Sequence, residues 1–414
     1  MKTNVACFAS LLACGLVCAP LQAQDWPQFR GPDGSGSSAR TALPATWSDT
    51  ENILWKAPLE GMGASTPVIV GGKLFLTTGV GSARDLVRHV LCFDAATGQK
   101  LWDQTVESQL PEAESIREDH GYASSTPVAD ASHLYVFFGK SGVFCFDHSG
   151  RQVWRADVGS QLNGWGSAAS LTLLGNHLLV NACVESEALV SLDKATGKEL
   201  WRASNLKECW HAPLPVAGPG GSNQVVMAQA QQLVAYDATT GNEAWRCKSG
   251  ISWYMCPQPI VSNSVLYAVG GRNGNGGLAV KLGGSGEITE SHRLWTLNKG
   301  TNVPSPVIHD GHLYFAHENK GTAHCVDLKS GQFVYDEPLS PNPGQIYASP
   351  VLVGDTIVYL GRGGQVVLVK AGPKFEIIGS PRLEDGRGVF NASPAIANGR
   401  LYLRSNRHLY CIGS

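Results

Sequence analysis

The side chains able to do chemistry in this 414-residue chain fall into four sets. His309-Asp-Gly-His312, with His317 nearby, is the densest histidine group and the first place to look for a metal site. Asp-Gly is a turn signal, however, and two histidines flanking a turn face solvent, which leaves no metal expected. Asp94, Asp147, Asp193, Asp237 and Asp327 recur at regular intervals and resemble acid–base carboxylates. With one per repeat on separate turns they cannot pair, so a structural role is expected. Cys92, Cys145, Cys325 and Cys411 share one repeated apolar place, as small buried thiols would. Cys183, Cys209, Cys247 and Cys256 are irregular, and whether any two form a disulfide stays open.

The fourth set could bind rather than react. Ahead of a recurrent proline landmark stand Met62, His120 with Tyr122, Asn163 with Trp165, Trp210 with His211, Trp253 with Tyr254, Asn302, Tyr347, and Phe390 with Asn391. Aromatic rings mixed with His and Asn, and with Arg117, Asp119, Glu208 and Arg387 close by, suit a planar or sugar-like ligand or a peptide. The plainer alternative is that these rings pack between neighbouring units and bind nothing. No Gly-x-Ser-x-Gly elbow, His-Glu-x-x-His helix or phosphate-binding glycine loop is present, so no catalytic residue is assigned.

The elements that position these residues come from a repeat. Asp193-Lys-Ala-Thr-Gly-Lys-Glu-Leu-Trp201 recurs as Asp94–Trp102 and Asp237–Trp245, one residue shorter as Asp147–Trp154, and more weakly as Asp327–Tyr335. Asp ends a strand and holds the turn, glycine supplies left-handed backbone, and a second strand opens with a buried Trp. The landmarks at Pro67, Pro127, Leu171, Pro215, Pro259, Pro306, Pro350 and Pro394 are separated by 60, 44, 44, 44, 47, 44 and 44 residues. Eight starts near 44 residues match four-stranded propeller blades. The expected fold is all-β: an eight-bladed propeller of antiparallel blades over residues 53–414. The eighth unit stops after three strands, whereas Ile53–Lys56 reads as a fourth strand with no blade before it. That N-terminal strand is expected to complete the C-terminal blade and remove an exposed sheet edge.

Glycine is abundant, at 48 residues, and charged residues make up 16 %, against roughly 25 % in ordinary domains. Many turns and few amphipathic helices follow. A net charge of −2 gives no electrostatic footprint for nucleic acid. Residues 1–23 read as a signal peptide: Lys2, an apolar run over Val5–Ala19 and a cleavage site at Leu21-Gln-Ala23. Leu11-Leu-Ala-Cys14 also resembles a lipobox, so a lipid anchor at Cys14 is an alternative. Residues 24–52 are expected as an extended arm docked on the ring, and no transmembrane segment is expected. The product would be an exported monomer of the periplasm or cell envelope.

Asp-x-x-Thr-Gly-x-x-x-Trp at this spacing resembles the quinoprotein (PQQ-like) β-propeller repeat, with Trp55, Trp102, Trp154, Trp201, Trp245 and Trp295 as its docking tryptophans. That family includes PQQ-dependent alcohol and glucose dehydrogenases as well as non-catalytic, BamB-like propellers. The resemblance implies that a quinone, if present, occupies the aromatic mouth. The vicinal Cys-Cys pair and the calcium-ligand motifs of the dehydrogenases have no match here. The expectation is therefore a non-catalytic binding or scaffold propeller with no cofactor, acting on an envelope protein or a glycan. A PQQ- and calcium-dependent dehydrogenase and a carbohydrate-binding propeller are the alternatives.

Overall fold

The computed structural model describes residues 25–38, 43–48, 51–117, 120–272 and 276–413. The expected signal peptide, Cys14 and Asp119 lie outside the described residues. Eight antiparallel sheets form the blades of a propeller. Blades 1 to 7 span residues 68–106, 128–156, 172–204, 214–248, 260–297, 307–338 and 351–379, and blade 8 combines 395–412 with Ile53–Pro58. Two α-helices of four residues each accompany them among the described residues, and no described helix is long and apolar enough to cross a membrane.

The inner strands of a blade are buried on both faces by the neighbouring blades and read as continuous apolar runs, as in Ile357–Leu360. Outer strands alternate instead, so that Glu199–Ser204 buries Trp201 and Ala203 and exposes the residues between. The repeated Asp organises the turn before that strand. Asp94 Oδ1 accepts from the backbone N–H groups of Ala96 (3.0 Å) and Thr97 (2.8 Å) and from the Thr97 hydroxyl (2.9 Å). These bonds stabilise the ionised form and hold the Asp94 carboxyl below its usual range.

The turn also joins one blade to the next. Trp154 donates its indole N–H to the Lys194 carbonyl in the following blade at 3.1 Å, and Trp55, Trp102, Trp201 and Trp295 do likewise with Ala95, His148, Ala238 and Leu328. The ring lies flat on the turn glycine: a Cβ at Gly197 would sit 2.6 Å from Trp154. Opposite each docking ring stands a small residue. Cys92 pairs with Trp102, Cys145 with Trp154, Cys325 with Tyr335 and Cys411 with Trp55, while Ser191 and Ala235 face Trp201 and Trp245. The repeated cysteines are thus space-saving residues beneath an aromatic, and burial pushes the Cys92 thiol up to about 12. All eight described cysteines are free, including Cys183, Cys209, Cys247 and Cys256.

Ring closure follows the expected course. Ile53–Pro58 pairs with His408–Ile412, Trp55 lying opposite Cys411, and Gly413 N donates to Asn52 O at 3.1 Å. The arm before it runs across the far end of the channel. Trp26 pairs with Ile69 of blade 1, Ala129 N of blade 2 donates to Pro27 O, and Ser37–Ser38 adds a parallel strand to blade 7 opposite Leu352 and Val353. Between them Arg30 is buried, its guanidinium donating to the carbonyls of Gly34, Ser35, Pro306 and Pro350. Blade 7 departs from the repeat: its outer strand is Ile377–Gly379, and Phe375 packs edge-on against Tyr335.

Candidate functional site at the channel mouth

Each blade begins where the chain crosses from an outer strand to the next inner strand, and these crossings are extended. Alternate residues therefore face the same way. The residue before each landmark faces the channel axis in six blades, as Thr66, Thr126, Ser170, Ser305, Ser349 and Ser393. Two residues earlier, every blade contributes again: Ala64, Ser124, Ala168, Ala212, Cys256, Val303, Tyr347 and Asn391. These two layers wall a cavity of about 510 Å³, within the usual range for ligand sites. Phe29 of the arm lines it as well, so the channel is a cup whose floor is the N-terminal segment.

The rim is chemically divided. On the side of blades 3 to 5, Tyr254 meets Trp210 edge-on with centroids 4.9 Å apart, with Trp165 at 6.3 Å and Trp253 at 5.0 Å. Trp210 is fixed by an indole N–H bond to Gly166 O at 2.8 Å, while Trp165 stays 55 % exposed, an unusual state for so large a ring. The opposite side is a hydrogen-bonded chain of planar polar groups. Arg362 donates to Asn391 Oδ1 (2.8 Å) and Gln345 Oε1 (2.7 Å), Gln345 to Asn319 Oδ1 (3.0 Å), and Asn319 to Glu318 Oε1 (3.2 Å). Glu318 Oε2 accepts from Asn302 N and the Thr301 hydroxyl. The Arg362 and Arg117 guanidiniums stand 4.5 Å and 5.7 Å from the Tyr347 ring, and Arg117 donates to its hydroxyl.

Of the residues singled out from sequence, His120, Trp165, Trp210, His211, Tyr254, Asn302, Tyr347 and Asn391 line the cavity. The other five do not. Phe390 is fully buried in the core beside Tyr410, because neighbouring residues on an extended chain point opposite ways and Asn391 takes the cavity side. Asn163 accepts from Trp165 N and donates to Glu208, which makes it a turn-former behind the exposed ring. Tyr122 turns away in left-handed backbone (φ 53°) and donates to Ala113 O. Trp253 lies outside the lining under the Arg272 guanidinium, 5.0 Å away. Met62 pairs through its backbone with Gly79 and also lies outside the lining. His211, although on the wall, has both ring nitrogens engaged by Ala212 and Ala228, and burial lowers its pKa.

Sequence reasoning missed Phe29, Arg272, Glu318, Asn319 and the hydroxyl layer. The signal for the hydroxyls was present, since Thr or Ser precedes five of the seven landmark prolines.

Calcium-bound PQQ does not match this donor set. Calcium takes six to eight oxygen ligands, carboxylates prominent among them. Glu318 is the one carboxylate among the described lining residues, and both its oxygens already accept from protein donors. No group of three metal-capable side chains occurs among the described residues, including around His309, His312 and His317.

The family model described as "Outer membrane protein assembly factor BamB" matches residues 87–337, more than half of the chain. A BamB of Burkholderia pseudomallei (strain K96243) is 28 % identical over 145 residues, a match spanning 35 % of this chain and only 31 % of that protein. The crystal structure of BamB from Moraxella catarrhalis superposes with a TM-score of 0.62 at 14 % identity, covering 87 % of this chain and 97 % of that one. The quinohemoprotein alcohol dehydrogenase from Comamonas testosteroni gives 0.67 at 12 % identity, covering 94 % and 81 %. At such identities the two superpositions show the shared fold alone. The residues matched by the family model run from the third strand of blade 1 to the outer strand of blade 6, and on that match the chain belongs to the BamB family of PQQ-like propellers.

Proposed function

We propose that this chain is a non-catalytic binding propeller of the cell envelope, seizing a ligand or partner at the channel mouth. The observation that carries the reading is the cup itself: a cavity of about 510 Å³ with an aromatic wall, a cross-linked polar wall and the N-terminal arm contributing Phe29. Family membership supports a scaffold in the envelope, the setting that the family's description names for its members. A scaffold needs a rigid, shaped surface rather than a titrating group, and both walls are held by packing or hydrogen bonds.

The test is capture of partners from an envelope extract by the native protein and by a Trp165→Ala/Tyr254→Ala/Tyr347→Ala variant. The variant should keep the native melting temperature and lose the captured species. Equal capture by both proteins defeats the mouth assignment. The competing dehydrogenase reading requires quinone absorbance and dye reduction with an alcohol or sugar once PQQ and calcium are added. We expect neither, because Glu318 is already engaged on the wall where the cation would need further carboxylates.

A further inference from the structure

The hydroxyl layer at the base of the cup has an unusual hydrogen-bond state. Thr126, Ser170, Ser305, Ser349 and Ser393 each accept a backbone N–H from the neighbouring blade through their side-chain oxygen, at 2.9–3.1 Å. Each keeps its own O–H proton, for which no acceptor occurs among the described residues. The sixth member, Thr66, is 1 % exposed, and its hydroxyl has no protein partner at all. A buried hydroxyl left unpaired is a net cost to the fold. Higher on the wall the carbonyl oxygen of Asn302 is likewise buried and unpaired, an acceptor lacking a donor.

The cup therefore presents convergent donors at its base and an unmet acceptor on its side, beneath an exposed tryptophan. We propose that the mouth binds the terminal sugar of a glycan, stacked on Trp165 and hydrogen-bonded to the hydroxyl layer and to Asn302. This rests on the mouth being the binding surface, as argued above. A sugar hydroxyl is both donor and acceptor, so one ring can satisfy Asn302 Oδ1 and the Thr and Ser hydroxyls together, whereas a bare anion can satisfy only the donors. The apolar face of a pyranose fits an aromatic wall, and its equatorial hydroxyls fit planar Asn and Arg groups. Phe29 of the arm lines the cavity as well, so the ligand proposed is a chain end rather than a threaded chain.

The experiment titrates the full chain with a panel of neutral and uronic-acid di- to tetrasaccharides, and with tripeptides as a control, reading tryptophan emission and calorimetry. At least one glycan should bind saturably, Trp165→Ala should weaken it about tenfold, and the tripeptides should not compete. Thr66→Val separates a ligand role from a structural one. Removing an unpaired buried hydroxyl should raise the melting temperature of the free protein yet weaken glycan binding severalfold. Silence across the glycan panel, tripeptide binding in its place, or glycan affinity unchanged in both variants overturns the proposal. If the panel is silent while the triple mouth variant still loses its captured partner, the sugar assignment falls and the mouth assignment stands.

Discussion

Among the described carboxyls with a shifted pKa, Glu185 alone is raised. It sits in the short helical turn Cys183–Ser186, 2 % exposed, with Oε1 unpaired, near the buried ion pair in which Arg88 donates to Glu112 at 2.6 Å. Burial pushes its carboxyl up to about 7, with a Ser167 hydrogen bond and Arg88 pulling down and Glu112 pushing further up. A carboxyl raised on folding binds its proton more tightly in the native state. Its contribution to stability is therefore present at low pH and is lost as pH rises from the unfolded value near 4.5 through 7. The full loss is on the order of 3 kcal/mol. Glu185→Gln should flatten that part of a denaturation series run between pH 5 and 8; an unchanged slope would mean that the carboxyl is not the titrating group. Gly197 offers a second residue-level test. It has φ +73° with the Trp154 ring against it, whereas Gly175 has φ +59° and open space around its Cα. Gly175→Ala should cost about 1 kcal/mol from backbone strain alone, and Gly197→Ala at least twice that, in urea unfolding.

At the scale of the element, the outer strand and its turn form one device, since the aromatic of one blade closes on the turn of the next. Trp201→Ala removes both the ring and its bond to Ala238 O and should cost about 3–5 kcal/mol, checked by chemical denaturation. Trp245 shows what happens where the next turn is missing. Blade 5 carries Lys281 in the Asp place, and the Trp245 indole donates within its own blade, to Gln224 Oε1 at 2.9 Å. The blades were legible in sequence because the device repeats with an intact Asp, Gly and Trp. The site was legible only in part, because residue type does not say on which side of an extended chain an aromatic falls. Phe390 and Asn391 differ by one residue, and only the second reaches the cavity. The hydroxyls and Phe29 carried no conspicuous chemistry until the crossings were placed side by side.

At the scale of the molecule, the arm turns a channel into a cup. Arg30 is buried with its guanidinium shared among four backbone carbonyls, and burial lowers its pKa to about 9 against the opposing charge of Asp33. Arg30→Ala leaves those carbonyls unpaired. It should lower the melting temperature by several degrees and speed proteolytic cutting within residues 25–38, while the outer blades keep their strand content by circular dichroism.

The shared eighth blade also sets an order of events during synthesis. Residues 53–58 leave the ribosome roughly 350 residues ahead of their partner at 408–412, so they wait as a lone strand while seven sheets assemble behind them. The last sheet to form is the one whose contacts are most distant along the chain, and loop closure makes it the slowest. A circular permutant that joins the two ends by a flexible linker and opens between blades 4 and 5 would make that sheet a local hairpin array. It should refold faster than the native chain, with less aggregation on dilution from denaturant.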